Sequence, residues 1–254
     1  MPWNPNIYNQ FKTIRYQPFL DLMGMISDED LKTAVDIGCG TGEQTSIMSD
    51  RFDTTTFLGI DASNEMLEES KPFATDRLRF KNTTIANFVK DGSIWDLIFS
   101  NAALHWEDQH TVLFPKLISK LNDNGQFALQ MPVQHENMLN QLLWDLVQEP
   151  PFSDFLDGWK RPSSVLSMDD YAQLLFDNGL TDIQVVKKVY PIIADSPETL
   201  FKFISGSALI PYMERLSETE HKVFVTEYKN RIKKAFKQFP ALYAFKRILL
   251  YGRK

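Results

Sequence analysis

Three glycines alternating in Gly38-Cys39-Gly40-Thr41-Gly42, directly after the strand-like Thr33-Ala34-Val35-Asp36-Ile37, constrain the fold of this chain more than any other stretch. Glycine reaches backbone angles that a Cβ forbids, and it lets a ligand lie against the main chain. A glycine loop between a strand and a helix N-terminus is where nucleotide-like cofactors sit in open α/β sheets. The spacing here is G-x-G-x-G, and Glu43 follows where the dinucleotide fingerprint needs its third glycine. That argues against NAD, and a carboxylate at this place suits a cationic ligand better than a pyrophosphate.

The segments around the loop alternate in the same way. Residues 31–132 predict strands at 34–37, 56–60, 78–81, 95–100 and 126–131, with helices at 43–52, 65–73 and 110–121, the last closed by Asn122-Asp123-Asn124-Gly125. Ser63 is placed to cap the second of these helices. The run at 95–100 is almost continuously apolar, as expected of a strand covered on both faces. Strands alternating with helices predict a parallel sheet with helices on both sides. Ahead of this core, residues 1–30 read as a helical cap, with Trp3, Tyr8 and Phe11 before an amphipathic stretch around Phe19, Leu20, Leu22, Met23 and Ile26. Residues 133–254 complete the sheet. They predict a helix at 138–147, an irregular loop at 150–162, a helix opened by Ser167 and Asp170 and ending near Gly179, and a sixth strand at 183–189. Ser196-Pro197-Glu198 starts another helix. Ser217-x-x-Glu220 starts a further one, with Phe224, Tyr228, Ile232, Ala235 and Phe239 along one stripe, before a last strand at 242–251. The whole reads as one domain.

With 43% hydrophobic residues in 254, a substantial core is available. The single cysteine, Cys39, excludes an internal disulfide framework and fits a reducing compartment. No apolar run reaches membrane-spanning length, and Met1-Pro2-Trp3-Asn4-Pro5 lacks the regions of a signal peptide, so a cytoplasmic protein is expected. The net charge of −6 is uneven: residues 222–254 hold ten Lys or Arg and one acid. A solvated helix face accounts for this, and nucleic-acid binding would rest on that tail alone. No metal ligand set stands out.

Asp61, 19 residues after Gly42 at the tip of the second strand, can accept both hydroxyl protons of a ribose. Val35-Asp36-Ile37-Gly38-Cys39-Gly40-Thr41-Gly42-Glu43 resembles the first motif of class I S-adenosylmethionine (SAM) methyltransferases. The resemblance implies a Rossmann-like sheet of seven strands, the last antiparallel, and a helical insertion between strands six and seven that carries substrate recognition. It also implies cofactor contacts at Asp36, Gly38, Cys39, Gly40, Gly42 and Asp61. The adenine would lie between Ala62 and Met66 on one side and Thr84, Ile85 and Ala86 on the other. Thr84 stands where the family usually has an aspartate for the adenine amino group. Asn101 and Leu104, after the fourth strand, complete the cofactor set. Asn101-Ala102-Ala103-Leu104 lacks the prolines and the aromatic with which N-methyltransferases of bases and glutamine hold an amino group, which disfavours such an acceptor. His105 and Trp106 look like the floor of a small-molecule pocket, with His105 a general base, an anion donor or a packed side chain.

Almost the full length resembles the trans-aconitate methyltransferase family, through Trp3-Asn4-Pro5-x-x-Tyr8-x-x-Phe11, Gly59-Ile60-Asp61, Asn101-Ala102-x-Leu104-x-Trp106, Leu113-Phe114-Pro115, Gln130-Met131-Pro132 and Ala244-Phe245-x-Arg247. The resemblance implies methyl transfer from SAM to a carboxylate of a small polycarboxylic acid. Arg15 and Arg247 would orient the acid, while Trp3, Tyr8, His105, Trp106 and Tyr212 close and dry the pocket. Two positions depart from the pattern. Ile210, in Ala208-Leu209-Ile210-Pro211-Tyr212, and Gln17 stand where the family has arginines, and Arg15, Arg161 and Arg247 are the cations that could compensate. Two other readings stay open. One is a malonyl-acyl-carrier-protein carboxyl methyltransferase, whose acidic carrier could meet the basic tail. The other is a SAM-binding protein without turnover. The oligomeric state is not legible.

Overall fold

The computed structural model describes residues 12–254, except the side chains of Lys12, Thr13 and Arg15. The expectations placed on Trp3, Tyr8, Phe11 and the Arg15 side chain lie outside the described residues. In chain order the elements are α1 (Lys12–Met23), β1 (Thr33–Ile37), α2 (Glu43–Arg51), β2 (Thr56–Asp61), α3 (Asn64–Ser70), β3 (Leu78–Asn82), α4 (Ile85–Phe88), β4 (Trp95–Asn101), α5 (His110–Ile118) and β5 (Leu121–Pro132). There follow α6 (Met138–Val147), α7 (Phe152–Phe155), α8 (Met168–Asp177), β6 (Thr181–Ala194), α9 (Pro197–Ser205), α10 (Ile210–Met213), α11 (Glu218–Ala235) and β7 (Ala241–Arg253).

The seven strands form one sheet in the order β3-β2-β1-β4-β5-β7-β6. β1 pairs in parallel with β2 and β4, β2 with β3, and β4 with β5, whereas β7 runs antiparallel to β5. This is the Rossmann-like class I methyltransferase sheet, with α9, α10 and α11 inserted between strands six and seven. Ala34, Val35 and Ile37 on β1 and Leu97, Ile98 and Phe99 on β4 are all buried, as central parallel strands require. On α1, Phe19 and Leu22 are fully buried, and the Phe19 ring meets Phe99 edge-on at 6.0 Å.

Contacts divide the chain into two compact units. One consists of 17–132, 164–188 and 247–254, and holds the glycine loop. The other consists of the described residues up to Tyr16 with 133–163 and 189–246. It has its own core, in which Leu139, Leu143, Phe201, Tyr212, Phe224, Tyr228 and Ile232 are buried together.

Several boundaries differ from the sequence expectation. The helix expected to run to 121 stops at Ile118, because the next lysine leaves its axis. Lys120 Nζ is buried against Asp91, 2.9 Å from its carboxylate, and lies 4.9 Å from the Phe88 ring centroid. Asn122–Gly125 is therefore not a helix stop but part of β5, with an irregular register between the Trp95 and Leu97 pairings. β6 extends to Ala194, since burial keeps alternating through Tyr190, Ile192 and Ala194, and Pro191 is tolerable at the edge position of β6. The stripe on α11 ends at Ile232. Ala235 is exposed and Phe239 lies beyond the helix, where the following Pro240 disfavours helical backbone. Three capping expectations hold: Ser63, Ser167 and Ser217 each accept the predicted backbone N–H, and Glu220 completes the capping box.

Candidate active site

The neighbours of β1 lie on opposite sides of it, so the strand order reverses there, and in open α/β sheets ligands bind beyond the carboxyl ends of the strands at such a point. The glycine loop occupies the end of β1. Gly38, Gly40 and Gly42 have φ of 75°, 56° and 76°. Their surroundings separate two reasons for glycine. A Cβ on Gly38 would stand 2.2 Å from the Ala103 Cβ, so packing alone demands glycine there. A Cβ on Gly40 would meet nothing within 4 Å, so that position faces open space of the kind a ligand can fill. Gly42 precedes α2 and, having no side chain, gives that helix no side-chain cap. Gly40 N–H donates to Asp61 Oδ2 at 2.9 Å, and Ser63 N–H to Asp61 Oδ1 at 2.8 Å, fixing the carboxylate at the tip of β2.

Asp36 is buried beneath the loop. Oδ2 accepts from Thr45 Oγ1 at 2.6 Å, while Oδ1 has no hydrogen-bond partner. Burial raises its pKa to about 7, against the opposing Thr45 hydrogen bond and with some help from the charge of Asp61. A buried carboxylate with an orphaned oxygen, an open position at Gly40 and an uncapped helix fit a cationic ligand that also carries an anionic group. Beside them the Cys39 thiol is held protonated by burial and by the charges of Asp36 and Asp61.

At the end of β4, Asn101 Nδ2 donates to Gln44 Oε1 at 2.6 Å, and Ala102 turns the chain with φ 56°. A short 3-10 turn, Leu104–Trp106, follows. Leu104 is fully buried and His105 is buried with its ring 4.7 Å from Trp106. The turn is braced from below. His110 Nε2 lies 2.9 Å from the Leu104 carbonyl, and Nδ1 lies 2.6 Å from the Tyr171 hydroxyl. A carbonyl only accepts, so Nε2 carries the proton. Nδ1 then accepts from Tyr171, whose oxygen accepts Leu166 N–H at 3.2 Å. Burial holds the His110 pKa below its ordinary value, which keeps this neutral tautomer.

Residues 34–125 match the family model described as "Methyltransferase domain". The YcgJ protein from Bacillus subtilis has a similar fold, with a TM-score of 0.57 at 20% identity over 92% of this chain and 98% of that one. So does phosphoethanolamine N-methyltransferase 2 from Haemonchus contortus in complex with S-adenosyl-L-methionine, with a TM-score of 0.56 at 14% identity over 97% of this chain and 52% of that one. The trans-aconitate 2-methyltransferase of Deinococcus radiodurans is 36% identical over all of this chain and 99% of its own length. The chain belongs to the trans-aconitate 2-methyltransferase family.

Within this family member, the residues expected around the cofactor fall at the ends of adjoining strands. Asp36 and Gly38 to Gly42 follow β1, Asp61 to Met66 follow β2, Thr84 and Ile85 follow β3, and Asn101 to Leu104 follow β4. Ala62 is exposed and Met66 half-buried. Thr84 has a local task that the sequence reading missed: its hydroxyl accepts Asn87 N–H at 3.2 Å and caps α4, an element not foreseen. The Thr-x-x-Asn spacing before an apolar pair was the available signal. Arg247 is buried on β7 and donates from Nε to Gln130 Oε1. Of the departures from the family pattern, Gln17 is exposed and bonded to Asp21, and Ile210 opens α10 beside Phe201 and Met213. In that same unit Arg161 N–H donates to the Tyr212 hydroxyl, a phenol whose pKa burial raises. Gln44, Gln130, His110 and Tyr171 were not singled out as functional. Gln130 could have been, since it interrupts the apolar run Phe127–Met131. Among the described residues no cluster could hold a metal ion, and no helix is long and apolar enough to cross a membrane.

Proposed function

We propose that this protein is a SAM-dependent carboxyl methyltransferase that esterifies a small polycarboxylic acid, trans-aconitate or a close analogue. The full-length match to a trans-aconitate 2-methyltransferase carries this reading. The glycine loop supports it with an open face at Gly40, an uncapped α2 and the orphaned oxygen of Asp36. When bound, SAM would supply a methyl group on a sulfonium; a carboxylate oxygen takes it as the sulfur–carbon bond breaks, giving a methyl ester and the thioether S-adenosylhomocysteine.

The work left to the chain is orientation and exclusion of water. A carboxylate is ionised near neutral pH, so no strong base is needed. Asp36, the glycine loop, Asp61 and Asn101 would hold the cofactor, with Ala62, Met66 and Ile85 at the adenine. Arg247 orients the acid; a guanidinium matches a carboxylate in two parallel hydrogen bonds. His105 and Trp106 keep water from the carboxylate, which raises its reactivity. An acidic carrier would have to meet the basic tail, where Lys229 is paired with Glu198 and Arg231 with Glu149 and Glu227. The test is incubation with methyl-labelled SAM and a panel of di- and tricarboxylic acids, scored for base-labile methyl ester. Ester on trans-aconitate or a close analogue supports the reading. Label on an amine or on none of the acids, with SAM binding shown separately, overturns it.

A further inference from the structure

A line of side-chain amides joins Arg247 to the start of α2. Arg247 Nε donates to Gln130 Oε1, Gln130 Nε2 to Asn101 Oδ1, and Asn101 Nδ2 to Gln44 Oε1. Gln130 is 1% exposed and Arg247 6%, so water has little access to that end of the line, whereas Asn101 and Gln44 are half-buried. A guanidinium has donors and no acceptor, and this fixes the direction of every bond. Gln130 must turn its oxygen to Arg247 and its nitrogen to Asn101. Asn101 must then turn its oxygen to Gln130 and its nitrogen to Gln44. Gln44 is the second residue of α2, the helix that starts from the glycine loop.

We propose that Gln130 is a positioning residue of the methyl transfer, which fixes Arg247 on the acid side and, through Asn101 and Gln44, the start of α2 on the cofactor side. Gln130 itself touches neither reactant. The inference rests on the reading above for what the two ends bind. Its polarity makes the two amide positions unequal. Position 44 needs only an acceptor. Position 130 needs an acceptor for Arg247 and a donor for Asn101 at once.

The polarity is tested with four variants: Gln44→Leu, Gln44→Glu, Gln130→Leu and Gln130→Glu. Binding of S-adenosylhomocysteine is measured by calorimetry, and KM and kcat for the acid by initial rates. Each leucine variant is expected to weaken S-adenosylhomocysteine by about tenfold, the worth of one hydrogen bond shielded in part from water. Gln130→Leu also raises KM for the acid. Gln44→Glu recovers most of the loss of Gln44→Leu, because a carboxylate still accepts from Asn101. Gln130→Glu does not recover cofactor binding, because it has no donor. Equal damage from both glutamates, or wild-type binding in Gln130→Leu, overturns the proposal. A measurement independent of any acid accompanies these. The Nε–H resonance of Arg247 in a nitrogen-15 spectrum is slow to exchange in the wild-type protein, and Gln44→Leu shifts it from the far end of the line. An unshifted resonance counts against the relay. A relay intact by these signs, in a protein that forms no ester on any acid, would instead refute the proposed reaction.

Discussion

At the scale of single residues, the glycine loop carries two kinds of glycine that identical sequence letters hide. Gly40→Ala places a Cβ in open space, at the cost of a left-handed backbone for alanine, about 1–2 kcal/mol. It should melt only a few degrees below the wild type yet bind S-adenosylhomocysteine at least about tenfold more weakly, since the methyl occupies the ligand's side of the loop. Gly38→Ala suffers the same backbone cost and also drives its Cβ into Ala103, an overpacking worth about 1–3 kcal/mol more. It should show the larger fall in melting temperature. Equal melting losses with unchanged binding at Gly40 would contradict this division. Asp36 gives the pH dependence. Burial raises its pKa to about 7, so below that pH the free protein holds it protonated. A cation beside it favours the carboxylate, and binding must then release the proton. Cofactor affinity is therefore expected to fall as pH drops below 7, by up to about tenfold per unit, and to flatten above it. Titrations in buffers of different ionisation enthalpy would show the released proton. An affinity equal at pH 6 and pH 8 would count against a cation at Asp36.

At the scale of elements, His110 ties the start of α5 to the turn that presents His105 and Trp106. His110→Phe keeps the stack on Phe114 but leaves the Leu104 carbonyl and the Tyr171 hydroxyl without their partner, a loss of about 1–3 kcal/mol. The folded pKa of His110 is depressed, so its contribution to stability is present above the unfolded value of 6.5 and is lost as pH falls through that value towards the folded one. Denaturant unfolding of the wild type and His110→Phe should thus give curves that converge between pH 7 and pH 5; parallel curves would show that His110 does not titrate in this way. Elements of this kind mark what the sequence could and could not tell. β1, α2 and β4 were legible because each follows one local rule: a β-branched run, a glycine loop opening a helix, an apolar run with covered faces. The caps at Ser63, Ser167 and Ser217 were legible for the same reason. The end of α5 was not, because it depends on Lys120 reaching Asp91, 29 residues away. The tasks of Thr84 and His110 were hidden too, since neither a helix of four residues nor a tautomer set by a distant tyrosine leaves a periodic signal. The residues after each strand were placed together by topology. Of the amides that join them, Gln130 was signalled by its place in the apolar run Phe127–Met131, whereas Gln44 left no local sign.

At the scale of the whole molecule, the basic residues of 222–254 do not act as one patch. Arg231 is bound to Glu149 and Glu227, Lys229 pairs with Glu198 at 2.8 Å, and Arg247 is buried on β7. The charge asymmetry of the sequence is thus divided between local pairs, a solvated helix face and one buried arginine. The division into two compact units makes a prediction for cofactor binding that exchange can test. Every described residue assigned here to the cofactor lies in the unit of 17–132, 164–188 and 247–254, whereas α11 belongs to a separate core. A ligand protects only those openings that destroy its site. S-adenosylhomocysteine at about 100 times its Kd adds about 2.7 kcal/mol to each such opening. The slow amides of β1, β2 and β4 should gain that protection, and those of α11 between Phe224 and Ile232 should keep their ligand-free rates. Hydrogen exchange read residue by residue gives the answer. Equal gains in α11 would mean that the second core opens only together with the first, and that the cofactor stabilises the chain as one cooperative body.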